Sequence, residues 1–271
     1  MIERGEYHYH EDVNWGLLRL WGGRKGLRVL DVGCGFATTS ERIQKLGNDV
    51  TGIDESPEIA ALAGKRLSRI IEADVQSADL GDEKFDVIIF ADVLEHLAWP
   101  VSVLKRYLQW LAPNGSVMIS LPNVGLWSVR FAHLVGRWQY EETGVLDRTH
   151  LRFFTRRSAR WLMDQAGLEI VKTTYNPGIV RPFVPLAKLL LSSRAKSRDP
   201  HPMDASRATA GDPSTSLGMT ETSLGMAVAA DALLKSRPYQ LYLKTAYPIE
   251  RALTALWPGM LAFQMIHEAK R

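Results

Sequence analysis

The sequence predicts an α/β fold with a mostly parallel sheet and helices packed on both of its faces. Three observations predict it. Short apolar, β-branched runs alternate with helical patterns from residue 28 onward, one strand breaks through Gly-x-Gly directly into a helix, and acidic residues recur where strands end. In open sheets of this kind, ligands bind at the C-terminal edge of the strands. The 271 residues suit one such domain of about 200 residues plus an appendage.

The elements follow in order. Residues 10–22 carry apolar side chains at 13, 17, 18, 20 and 21 and stop at Gly22-Gly23, which predicts a leading helix near the ligand mouth, where Tyr7, Tyr9 and Trp15 could cover it. Residues 28–32 read as the first strand. They run into Gly33-Cys34-Gly35, where the missing Cβ atoms permit a tight turn and close ligand approach, and a helix over 38–46 offers its free N–H groups. The second strand, 50–54, ends on Asp54, 19 residues after Gly35 and about where such folds place an acid for ribose hydroxyls. Ser56 suits an N-cap and Pro57 the first turn of a helix reaching about residue 67. The third strand, 68–74, ends on Asp74. A fourth, 85–90, leads into Ala91-Asp92-Val93-Leu94-Glu95-His96-Leu97.

Pro100 opens a helix predicted over 100–112, stopped by Pro113-Asn114-Gly115, before a fifth strand at 116–121. The connection 125–155, with Trp127, Trp138, Tyr140 and Arg130, Arg137, Arg148 and Arg152, is longer than a crossover needs and reads as a lid. Thr155 caps a helix over 156–166 and a sixth strand spans 168–175. From 179 the character changes. Residues 179–191 suggest a short helix that packs on the domain or rests on a membrane surface. Residues 193–226 are rich in Ser, Thr, Asp, Arg, Gly and Pro without an apolar period, and repeat Thr-Ser-Leu-Gly-Met at 215 and 222, which reads as an inserted disordered tract. Helices are expected over 227–234 and 249–256, and Trp257-Pro258-Gly259 as a turn before an apolar segment at 260–269.

Composition narrows the function classes. A net charge of +3 with Lys and Arg spread along the chain argues against a nucleic-acid partner, and 46% hydrophobic residues supply a sizeable core. A single cysteine, Cys34, excludes an intramolecular disulfide and fits a reducing compartment. Residues 1–6 lack the basic and apolar regions of a signal peptide, and no apolar run approaches the roughly 18 residues of a spanning helix, so a cytoplasmic location is the default expectation. Glu95 and His96 are adjacent, but the spacing of His, Cys and acidic residues shows no ligand cluster, so no metal is expected.

In order, Asp31-Val32-Gly33-Cys34-Gly35, Asp54, Ala73-Asp74, Phe85-Asp86, Val93-Leu94-Glu95-His96 and Leu111-Ala112-Pro113-Asn114-Gly115-Ser116 resemble the class I S-adenosylmethionine-dependent methyltransferases. The resemblance is to the small-molecule branch that includes the ubiquinone-pathway O-methyltransferases and MetW-like proteins. It implies a Rossmann-like seven-stranded sheet whose last strand is antiparallel. That divides the chain into a core at 1–178, an insertion at 179–259 and a final core strand at 260–271. It also implies S-adenosylmethionine as cofactor and a small-molecule acceptor methylated at O, or at N or C.

By the same resemblance, Asp54 grips the ribose, Asp74 with Val75 takes the adenine, and the backbone at Gly33, Cys34 and Gly35 takes the methionyl part. Asp31 shapes the glycine loop near the amino end, and Asp92, Val93 and Glu95 lie where the fourth strand opens beside the methyl. Asp147-Arg148-Thr149-His150 resembles the segment that ends the substrate lid. It makes His150 a candidate base, with Glu95 beside it. Each acid has a plainer reading as a cap or loop acceptor. Two alternatives stay open: a non-catalytic or regulatory S-adenosylmethionine-binding protein, and a nicotinamide-dependent oxidoreductase, whose fingerprint would want glycine at Thr38.

Overall fold

The computed structural model describes residues 13–178 and 237–271. The expected segments at 179–191, 193–226 and 227–234 lie outside the described residues, as do Tyr7 and Tyr9. Contacts divide the chain into Met1–Ile179 with Arg251–Arg271, and Val180–Glu250.

In the first unit, β1 (Arg28–Val32), β2 (Asp49–Asp54), β3 (Arg69–Glu72), β4 (Phe85–Ala91), β5 (Leu111–Pro122), β6 (Glu169–Pro177) and β7 (Ala262–Lys270) form one sheet in the order β3-β2-β1-β4-β5-β7-β6. β7 alone runs antiparallel, wedged between β5 and β6. Neighbouring strands pair in parallel from β3 through β5, and the chain order reverses between β1 and β4. That reversal opens a crevice at the C-terminal edge.

The central strands β1, β2, β4, β5 and β7 are largely buried on both faces, as a sheet sandwiched between helices requires, while β3 and β6 at the edges are partly exposed. Leu30, Val32, Ile88, Phe90, Val117 and Ile119 point into one apolar layer, while Val29, Val87, Ile89 and Met118 alternate into the other. The layers are closed by α1 (Trp15–Trp21), α2 (Thr38–Lys45), α3 (Pro57–Ala63), α4 (Pro100–Tyr107) and α6 (Arg156–Gln165), with α5 (Trp127–Leu134) in the lid. α7 (Arg237–Leu256) and the one-turn α8 (Pro258–Leu261) precede β7. In the second unit the described residues belong to α7, where the Tyr242 hydroxyl donates to Glu250.

Several boundaries differ from the sequence expectation. The leading helix begins only at Trp15, because Asn14 caps it by accepting from the Leu17 N–H at 3.0 Å. The helix opened by Pro100 ends at Tyr107, and a 3-10 turn at Leu108–Trp110 hands over to β5. Pro113-Asn114-Gly115 therefore lies inside the strand's span and does not stop a helix. The ladder absorbs these residues by jumping register between the Phe85↔Leu111 and Val87↔Ser116 pairs, with Asn114 at φ +66°. Trp257-Pro258-Gly259 enters α8, and the lid contains a helix, α5, that none of its residues buries.

Candidate functional site

The β1–α2 corner is held from three sides. Gly33 sits at φ +66°, and a Cβ there would come within 2.7 Å of Val93 Cγ2, so the chain leaving β4 presses onto the glycine loop. The Cys34 N–H donates to the Ile53 carbonyl at 2.9 Å, and the Gly35 N–H to Asp54 Oδ2 at 2.9 Å. The other oxygen of Asp54 accepts from the Ser56 N–H at 3.1 Å. Asp54, buried itself, thus ties the end of β2 to the loop through both carboxylate oxygens. The Cys34 sulfur fills the space over Gly52, where a Cβ would lie 2.7 Å from it. Burial, then the carboxylates of Asp31 and Asp54, push its thiol upward, which suits a filler and not a nucleophile.

Asp31 is buried beneath this loop. Its Oδ2 accepts from the Ser40 hydroxyl at 2.5 Å, and its Oδ1 has no partner among the described residues. Burial pushes its carboxyl up to about 7, the Ser40 bond opposing and the Asp54 charge adding. A buried acid with one bare oxygen is a group that a cationic ligand would satisfy.

Asp74 is exposed after β3, with Oδ1 accepting from the Gln76 N–H at 2.8 Å, and Val75 is buried in the core. Asp92, at φ +58°, is fixed by neighbours the sequence did not single out. Ser120 Oγ donates to its Oδ1 at 3.2 Å, and Gln264 Nε2 lies 2.6 Å from both of its oxygens.

The lid supplies a third group. The N–H groups of Leu151 and Arg152 donate to the Glu95 carbonyl at 2.8 and 2.9 Å, docking the lid's end on the turn after β4. Glu95 itself is fully buried, both carboxyl oxygens lack partners among the described residues, and burial followed by the charge of Asp92 holds its carboxyl well above the usual range. His150 is buried with Nδ1 3.1 Å from the Val145 carbonyl. A carbonyl only accepts, so Nδ1 carries the proton and Nε2 keeps its lone pair. Burial lowers the His150 pKa, so the ring is neutral at pH 7. His96 and His150 rings meet edge to face at 4.7 Å, and Phe153 joins His150 to Trp138 and Tyr140 in an aromatic wall.

Glu95, His96 and His150 bring one donor atom each within 4.8 Å of one another. Spacing along the chain hides this cluster, because His150 reaches it only through the lid. A carboxylate with two imidazoles is also a donor set that suits a divalent ion. The structure therefore gathers Asp31, Gly33, Cys34, Gly35 and Asp54 at one corner, with Val93 packed against Gly33 and Asp92 and Glu95 following on the same segment, where the lid brings His150. Asp74 is exposed one residue beyond Ala73, whose N–H donates to the Asp54 carbonyl at 3.0 Å, so it stands beside that corner. A cavity lined by Lys84, Leu108, Pro113, Asn114 and Lys270 lies at the opposite edge of the sheet and includes none of these residues.

Comparison with known proteins bears on the family and the fold. A family model described as a methyltransferase domain matches residues 6–173. The chain is 31% identical over 169 residues to a ubiquinone biosynthesis O-methyltransferase of Photobacterium profundum, covering 58% of this chain and 71% of that protein. It is 32% identical over 168 residues to the enzyme of that name from Aliivibrio fischeri, covering 57% of this chain and 70% of that protein. A crystal structure of a SAM-dependent methyltransferase from Archaeoglobus fulgidus superposes with a TM-score of 0.54 at 15% identity, covering 94% of this chain and 91% of that chain.

Proposed function

Given that the chain belongs to the methyltransferase domain family, with S-adenosylmethionine as its methyl donor, we propose that it methylates an oxygen of a small-molecule acceptor held beneath the 125–155 lid. The observation that carries this reading is His150: a buried, neutral imidazole anchored through Nδ1, with Nε2 left as a base. The donor's sulfonium carries an already activated methyl, so the protein's task is to hold, orient and deprotonate.

Residues of the corner fit that donor. Asp54 offers its carboxylate to the ribose hydroxyls, the loop at Gly33, Cys34 and Gly35 leaves room for the methionyl part, and Asp31 meets its positive amino end with the bare Oδ1. Asp74, with Val75 beside it, takes the adenine amino group by swinging from its present bond to the Gln76 N–H. His150 Nε2 takes the proton from the acceptor hydroxyl, with Glu95, whose carboxyl burial holds well above the usual range, beside it. The wall of Phe153, Trp138 and Tyr140 favours a flat, apolar acceptor such as a phenol.

The insertion at 179–259 stands outside this chemistry, and 179–191 offers peripheral membrane contact if the acceptor is lipophilic. No helix among the described residues is long and apolar enough to cross a membrane. A cytoplasmic site of action accords with the single, free cysteine. The test is mass spectrometry of pooled metabolites incubated with the protein and S-adenosylmethionine. A phenolic species gaining one methyl, with equimolar S-adenosylhomocysteine, is expected. Methylation confined to nitrogen or carbon acceptors would overturn the assignment to oxygen.

A further inference from the structure

A polar network behind Asp92 joins four segments far apart in the chain. Gln264, buried in β7, places Nε2 2.6 Å from both Asp92 oxygens. Its own Oε1 accepts from Asn176 Nδ2 of β6 at 2.5 Å. Asn176 Nδ2 also lies 3.2 Å from Asn14 Oδ1, while its Oδ1 accepts from Arg19 Nη2 at 2.9 Å. Asn14, the cap of α1, closes the ring by donating to Ser120 Oγ at 3.0 Å, and Ser120 donates to Asp92. Gly16 lets α1 approach this closely, since a Cβ there would lie 2.6 Å from Asn176 Oδ1. Every member's orientation is thus fixed by another member.

Asp92 pays for its place. It holds a left-handed backbone conformation that favours glycine, and as a carboxylate it lies in the electrostatic reach of Glu95 and His150. A strained acid held by an amide from the last strand points to orientation for a ligand. The strand order says which part of the ligand. With the ribose on Asp54 at the end of β2 and the methionyl part over the glycine loop after β1, the next strand, β4, meets the cofactor's amino-acid end.

We propose that Gln264 is a positioning residue: by donating to Asp92 it aims that carboxylate at the cationic amino-acid end of S-adenosylmethionine, so that β7 completes the cofactor site. The inference rests on the cofactor reading above and deepens it.

The test separates two ligands that share the adenosine part. S-adenosylhomocysteine carries the amino-acid end and 5′-methylthioadenosine lacks it. For the wild-type protein, titration calorimetry should show binding of both. Failure of wild type to bind S-adenosylhomocysteine would sink the cofactor reading itself, whatever Gln264 does. Gln264→Met, similar in length and without a donor, should weaken S-adenosylhomocysteine about tenfold or more and leave 5′-methylthioadenosine within about twofold. Gln264→Glu, which keeps the shape but sets an acceptor against Asp92, should show the same selective loss. Folding of each variant is checked by its melting transition, and either folded variant suffices. Equal weakening of both ligands, or unchanged S-adenosylhomocysteine affinity, would reduce Gln264 to a structural role and overturn the proposal.

Discussion

Replacing Asp31 by Asn should stabilise the protein and weaken cofactor binding together, and both effects should appear only as the pH rises. The carboxyl is buried, with one oxygen bonded to Ser40 and the other bare, and its pKa climbs from 3.8 to about 7. Between those values the folded chain holds a proton that the unfolded chain has lost, so stability falls as pH rises through that window and levels off above it. Over a gap of about 3 pH units, at about 1.4 kcal/mol each, ionisation costs the folded state on the order of 4 kcal/mol. Asn escapes that cost but gives up the charge-assisted bond to Ser40, worth about 1 to 2 kcal/mol. The variant should therefore gain about 2 kcal/mol at pH 8, a melting temperature higher by about 5 °C, and lose about 1 to 2 kcal/mol at pH 4, where the folded wild type is protonated and only the bond to Ser40 is forfeited. Binding should mirror this. If the cofactor's ammonium binds the ionised form, roughly a tenth of the wild-type protein is competent at pH 6 and roughly nine-tenths at pH 8, so affinity should improve about tenfold across that range. Calorimetry and thermal melts at pH 4, 6 and 8 check both arms. An Asn variant that is destabilised equally at every pH, with wild-type affinity that ignores pH, would refute the reasoning.

Three further outcomes are expected. Asp54→Ala should cost on the order of 2 to 3 kcal/mol of cofactor binding, roughly 30- to 150-fold in affinity by titration, and should also lower the melting temperature because the Gly35 and Ser56 N–H groups lose their acceptor. His150→Ala should leave S-adenosylmethionine affinity nearly unchanged but slow methylation roughly 10²- to 10⁴-fold, with the deficit shrinking at high pH where the acceptor ionises unaided; the wild-type rate should fall on acidification as the ring protonates. Excision of 193–226 should leave cofactor affinity unchanged and shift stability by less than about 1 kcal/mol, since shortening a connection changes closure entropy only slowly.

The sheet was legible because its signals are local. β1, β2 and β4 are apolar runs with turn residues or caps at their ends, and Ser56 caps α3 as its place before Pro57 implies. Such patterns need nothing beyond the next few residues. The helix drawn over 100–112 failed for the complementary reason. Leu108–Trp110 and Leu111 continue an apolar pattern that a helix would accept, and only pairing of Leu111 with Phe85 decides for a strand. Tertiary hydrogen bonding there overrides local preference.

The site divides along the same line. Gly33, Gly35 and Asp54 could be read because a glycine turn and a strand-end acid carry their meaning with them. Glu95 and His150 were legible singly, but their meeting depends on the lid folding back so that Leu151 and Arg152 bond the Glu95 carbonyl. Asn14, Ser120, Asn176 and Gln264 gave weaker hints: a cap residue, a hydroxyl in an apolar strand, an amide before Pro177 and a glutamine within the apolar run of β7. Ser120 and Gln264 bond Asp92 directly and Asn14 and Asn176 bond those two, and Asp92 lies 172 positions from Gln264. Because β7 enters the sheet between β5 and β6, the last residues of the chain supply the support for a strand laid down long before them. A chain lacking β7 would therefore lose the aim of Asp92 as well as the strand that joins β6 to the sheet, whereas one lacking 193–226 should lose neither.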